Sequence, residues 1–164
     1  RPPKLSNLGE KMSSLPYPYW DRSGGRPFSS SQPNVATFPF KTWEKCLVAS
    51  WNSRIEFEGL MAVAEILRNT SKGMQGRAMT GPLNFEQIPA LAERGKARLP
   101  VFFDMLNERL EGRDFIAIDT LSVADITALV CVDFGGWVKI TPTEAHTNLT
   151  RWHAAMSARP SAKA

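Results

Sequence analysis

At 164 residues, with 43% hydrophobic and 22% charged residues, the chain has the length and composition of one globular domain. No apolar run approaches the roughly 20 residues that cross a bilayer, and no basic start followed by an apolar stretch marks a secretory leader. The net charge of +4 has one origin: residues 1–41 hold six Lys or Arg against two acids, a surplus of four that equals the total. The remainder is balanced and offers no footprint for a phosphate backbone, which excludes nucleic acid and membrane as expected partners.

The two cysteines, Cys46 and Cys131, sit among aliphatic neighbours. Too few for a disulfide framework and not clustered for zinc, they read as two buried thiols in a reducing, cytoplasmic compartment. The chain opens on Arg1 rather than Met, as a fragment or processed form would.

Residues 1–41 carry seven of the twelve prolines, seven serines and three glycines. Stretches such as Leu15-Pro16-Tyr17-Pro18-Tyr19-Trp20 follow neither helical nor strand periodicity, and proline fixes φ and removes donors. An irregular segment is expected here, with aromatics that could dock on something, and a helical domain over 42–164.

Thr42 reads as an N-cap, although Lys45 stands where a capping box wants an acid. Trp43 to Arg68 then lacks proline. Trp43, Leu47, Trp51 and Ile55 form one ridge, and Phe57, Leu60, Met61, Ala64 and Leu67 a second apolar band, so the helix has two sides to cover. A Gly-rich loop, 73–84, precedes a second helix from about Phe85 to Leu110, with a kink or break expected at Pro100. Gly112 closes it. In Leu121-Ser122-Val123-Ala124-Asp125-Ile126, Ser122 is an N-cap, Asp125 reaches back to its amide, and Leu121 can staple Ile126. The helix so opened, Val123 to Lys139, is apolar nearly all round and is expected to be central and buried. A last helix, about Glu144 to Ala158, turns Leu149, Trp152 and Met156 inward.

Phe115-Ile116-Ala117-Ile118-Asp119-Thr120-Leu121-Ser122-Val123-Ala124-Asp125-Ile126 resembles the capping-box signature of the glutathione S-transferase C-terminal domain. Ile118 stands where that family usually has Gly, which implies an adjusted turn. Arg151-Trp152-His153 with Ala158-Arg159-Pro160-Ser161 is similar to the family's ending, and Trp51 to Leu60 to the domain's first helix in bacterial members. The resemblance covers residues 42–164 and implies an all-α fold, a homodimer and a small hydrophobic acceptor. It also implies that glutathione binds a separate thioredoxin-like domain. Residues 1–41 hold none of that domain's marks, so glutathione is expected as co-substrate only where such a domain is supplied.

No phosphate loop, nucleophile elbow or zinc-protease motif is present. His146 and His153 lack a third ligand at matching spacing, so neither metal nor cofactor is expected. No residue of this chain is assigned to catalysis. By resemblance the acceptor face includes Trp51, Arg54 and Glu58 on the first helix and Asp133 and Trp137 on the third. The bland readings are core or dimer packing for the tryptophans, a surface ion pair for Arg54 with Glu58, and a bond to a neighbouring helix for Asp133. Ser122 and Asp125 are folding residues. The expected role is the acceptor-binding and dimerising half of a glutathione transferase; the alternative is a non-catalytic interaction module on the same scaffold.

Overall fold

The computed structural model describes residues 39–162, which fold into helices with no strand among them. These are α1 (Phe40–Arg54), a π-helical turn (Ile55–Leu60), α2 (Met61–Thr70), α3 (Pro89–Arg109), α4 (Val123–Trp137) and α5 (Thr147–Ser157), with short 3-10 turns at Lys72–Met74 and Pro160–Ala162. No described helix is long and apolar enough to cross a membrane. The expected irregular segment lies outside the described residues except at its end. There Phe40 and Lys41 already belong to α1, so Thr42 is not the cap. Pro39 precedes the helix, where a missing N–H costs nothing.

The first helical run is continuous from Phe40 to Thr70 but changes phase midway. At its end the π turn bonds the Met61 amide to Glu56, five residues back, and so accommodates an extra residue. From the turn onward the buried stripe is Ile55, Gly59, Ala62, Val63 and Ile66. The band expected from uniform periodicity is displaced outward: Phe57 is 69% and Met61 44% exposed. The Arg98 guanidinium donates to the Phe57 carbonyl at 2.9 Å.

Close packing locks this run to its neighbours. A Cβ on Gly59 would stand 2.5 Å from Phe102 Cε1 and 2.6 Å from Cys131 Sγ, so three helices meet there without room for a methyl group. A Cβ on Gly95 would lie 2.6 Å from the Ala62 carbonyl oxygen, and α2 lies along α3 accordingly. Glu65, buried on α2, pairs with Arg94 and, at 3.6 Å, with Arg98.

Helix α3 begins at Pro89 rather than Phe85. Ile88, at φ −118° and ψ 99°, is held out of the helical region by the proline that follows it. Pro100 does not interrupt α3. After it, Gly112 at φ 64° turns the chain where a side chain would be strained.

The capping box forms as read: the Ser122 amide and hydroxyl both donate to Asp125 Oδ2, at 3.0 and 2.9 Å. Asp125 Oδ1 also accepts from the Ile116 amide at 2.8 Å, which ties the connector to α4. Leu121 and Ile126, the expected staple, are exposed. Contrary to expectation, α4 is not buried all round. Ala124, Ala128, Cys131 and Val132 enter the core, while Val123, Ile126, Val130 and Trp137 face outward. An apolar sequence marks what a helix could bury, not what this structure covers.

Helix α4 ends at Trp137 in a Schellman turn. The Ile140 amide bonds to Gly135 O at 2.9 Å and the Lys139 amide to Gly136 O at 3.1 Å, with Lys139 left-handed at φ 62°. Helix α5 starts at Thr147, later than Glu144, and its cap is supplied by another helix. Asn107 Oδ1 accepts from the Asn148 and Leu149 amides at 2.9 and 3.1 Å. Leu149, Trp152 and Met156 are inward.

The two thiols part company. Cys131 is buried, and burial pushes its pKa up to about 12. Cys46 is exposed, because no residue of α1 is buried.

Candidate functional site

Trp51 sits half-buried at the junction of α1 with the end of α3. The Arg54 guanidinium lies 5.5 Å and that of Arg109 5.0 Å from its ring centroid, within reach of the negative ring face. Arg109 is fixed: Nε donates to Ile116 O at 2.7 Å and Nη2 to Ala117 O at 3.1 Å. Burial, and then the like charge of Arg113, hold Arg109 below the ordinary guanidinium pKa, while Asp119 acts the other way.

Beside this group lies a hollow of about 530 Å³, open to solvent. Glu44 and Leu47 of α1 form one wall, Ala117 to Thr120 the other, with Arg109 and Arg113 at the side. It can receive a ligand with an apolar body and a polar or charged edge. Below Trp51, the Thr127 hydroxyl is 2.6 Å from Asn52 Oδ1, and Asn52 Nδ2 donates to Glu56 Oε1 at 2.8 Å. This chain of bonds fixes α1 against α4. Glu58 accepts from Arg54 Nε at 3.1 Å, an exposed pair of the kind worth about 0–1 kcal/mol.

The other two candidates stand elsewhere. Asp133 Oδ1 lies 2.7 Å from His153 Nε2 of α5 and shares a second hollow, about 320 Å³, with Gly136, Pro142 and His153. Trp137 is 66% exposed and stacks on Phe134, centroids 4.4 Å apart. The structure therefore brings Trp51, Arg54 and Glu58 together and sets Asp133 and Trp137 apart from them. Among the described residues no three His, Cys, Asp or Glu side chains gather as a metal site. His146 is a buried structural residue. Its Nδ1 accepts from the Thr143 amide at 2.8 Å, which leaves Nε2 to carry the proton toward Asp104 Oδ1 at 2.9 Å.

Arg109 is the residue that sequence reading missed. It is 58 positions from Trp51, and no local pattern announces a contact across that separation.

The family model of the glutathione S-transferase C-terminal domain matches residues 60–160. Similar solved structures include a glutathione S-transferase domain-containing protein of Marinobacter aquaeolei, 27% identical at TM-score 0.65, with 74% of this chain and 57% of that one covered. A Gtt2-class glutathione S-transferase of Vibrio parahaemolyticus is 28% identical at TM-score 0.60, over 74% and 52% of the two chains. Gtt2 of Saccharomyces cerevisiae, 24% identical, shares the fold at TM-score 0.65 over 81% and 61%. The chain thus spans between 52% and 61% of the length of these relatives. No curated protein sequence matches it.

Proposed function

The chain belongs to the glutathione S-transferase C-terminal domain family, and from that membership we propose that it is the acceptor-binding and dimerising half of a glutathione transferase. The observation that carries this reading is the apolar face of α4. Val123 and Ile126 are about half exposed, on a helix packed beside α1 and its solvent-open hollow. An apolar face of this kind marks an interaction surface, and a thioredoxin-like glutathione-binding domain is the cover we assign to it.

In this reading Trp51, Arg54 and Glu58 form the nearer part of the acceptor face, and Asp133 and Trp137 a farther part. The chain donates no catalytic group. It holds a small hydrophobic electrophile near the glutathione thiolate, and positioning alone lowers the barrier by turning a two-body encounter into a local one. Pairing of two copies uses the first helices, where Phe57 and Val101 project 69% and 65% exposed from neighbouring elements that Arg98 bridges. The free thiols fit a reducing cytoplasm.

The test is a fusion of a thioredoxin-like domain of this family to the N-terminus, assayed for conjugation of glutathione to an aromatic halide. Turnover is expected, with Trp51→Ala raising KM for the halide and leaving KM for glutathione unchanged. A folded, dimeric fusion without turnover would instead favour a non-catalytic interaction module. A Trp51→Ala fusion in which both KM values move together would remove Trp51 from the acceptor face.

A further inference from the structure

A third cavity, apart from the hollows above, lies between α2 and the segment that leads into α3. Its volume is about 260 Å³, and it is half enclosed. Met61, Ala64, Met79, Phe85, Ile88 and Leu91 make its lining predominantly apolar. A dry apolar cavity of about 150 Å³ accepts benzene, so this one has room for a larger ring system.

The wall opposite α2 is held in place. The Ala78 amide bonds to Phe85 O at 2.9 Å, the Ile88 amide to Asn69 Oδ1 at 2.8 Å, and Gln87 Nε2 donates to the Arg68 and Ser71 carbonyls at 2.8 and 2.7 Å. The cavity is therefore formed before any ligand arrives. Four charged groups border it. Glu65 is paired with Arg94 and with Arg98. Arg68 and Glu86 remain, and neither side chain makes a hydrogen bond or ion pair with any described residue. Glu86 is exposed to water, whereas Arg68 is half-buried at the edge of the apolar wall, where an unmatched charge is more costly. The more favourable addition is an anion.

We propose that this cavity binds a small aromatic carboxylate, its ring between Met61, Met79 and Phe85 and its carboxylate on the Arg68 guanidinium. The proposal does not depend on the transferase reading: the residues are separate from the Trp51 group, and no reaction is involved.

The experiment labels the methionine methyl groups of the full chain and titrates three probes of one shape: 2-naphthoate, 2-naphthamide and 2-naphthylmethylamine. The Met61 and Met79 methyl resonances are expected to move with 2-naphthoate, while that of buried Met156 stays fixed. Affinity should fall in the order carboxylate, amide, amine. Arg68→Gln should weaken the carboxylate roughly tenfold or more, as loss of a charge-assisted bond does, and leave the amide nearly unchanged. Glu86→Gln should strengthen the carboxylate. Ala64→Leu, checked by its melting curve to be folded, should weaken all three by filling the cavity.

No movement of Met61 or Met79 at millimolar probe overturns the proposal, including the case in which sedimentation shows a second copy covering the cavity. Equal binding of carboxylate and amide, or a preference for the amine, overturns the charge assignment and with it the ligand class.

Discussion

The Arg98 guanidinium reaches from α3 to the carbonyl of Phe57 and meets it at 2.9 Å, in the one turn of the first helical run that departs from α geometry. A widened turn leaves carbonyls poorly matched to amides along the axis, and a side chain from the neighbouring helix supplies a donor. Arg98→Met keeps the aliphatic stem and removes both the donor to Phe57 and the 3.6 Å partner of buried Glu65. It should lower stability by about 1–2 kcal/mol, seen as an earlier urea midpoint at unchanged m-value. Arg98→Lys should recover part of the loss. Indifference to both changes would mean that the turn is held by packing alone.

Asp125 does more than cap. Its carboxylate accepts from the Ser122 amide and hydroxyl and from the Ile116 amide, the last inside the core. Asp125→Ala should therefore cost more than the 0.5–2 kcal/mol of a lost cap, about 2–4 kcal/mol once the stranded Ile116 donor is included. Asp125→Asn keeps one acceptor oxygen but sets its NH2 against the remaining donor, so it should recover only part of the loss. An alanine variant no less stable than the asparagine variant would contradict this account.

Two cysteines with opposite environments should behave oppositely toward a thiol reagent. At pH 8 the native chain should take up one equivalent at Cys46 and a second only on unfolding, which mass spectrometry of peptides resolves. The same contrast has a pH consequence. The Cys131 thiol is raised from 9.0 to about 12 in the fold, so the folded state keeps a proton that the unfolded chain releases. The stability tied to this group is complete below pH 9 and lost as pH rises toward 12. Cys131→Ala should flatten that alkaline decline relative to the parent. Parallel curves would show that other groups govern it.

Lys139 occupies the left-handed position of the turn that ends α4, at φ 62°. Lysine is strained there and glycine is not, so Lys139→Gly should gain about 0.5–1 kcal/mol despite the greater entropy of its unfolded chain. A lower melting temperature would show that the lysine side chain contributes something not seen in its backbone geometry.

How far these features were legible depended on their range. Ser122 and Asp125 stand three residues apart and announced their bond, and Leu149, Trp152 and Met156 keep one face of one helix. The start of α3 was misplaced because Phe85 continues an apolar pattern, whereas Pro89 acts sterically on Ile88. The extra residue of the π turn is invisible to any count based on a constant period, so the apolar band that holds Phe57 and Met61 does not mark the face that is buried. Among the site residues, Trp51 with Arg54 and Arg54 with Glu58 lie within one turn. The contacts of Trp51 with Arg109 and of Asp133 with His153 join separate helices and have no local signature. The exposure of Cys46 depends on what covers α1, which its own sequence does not contain.

No residue of α1 is buried, although Val48 and Trp51 lean on the core. A 15-residue helix is marginal by itself in water. The contacts that tie α1 to the core begin at Val48, and the amides before it should exchange with deuterium through local unwinding rather than global unfolding. A partner that settles on α1 would have to keep it wound, and part of its gross binding energy would go into that ordering. Affinity for such a partner would then respond to helix propensity on the solvent side of α1, at positions the partner never touches.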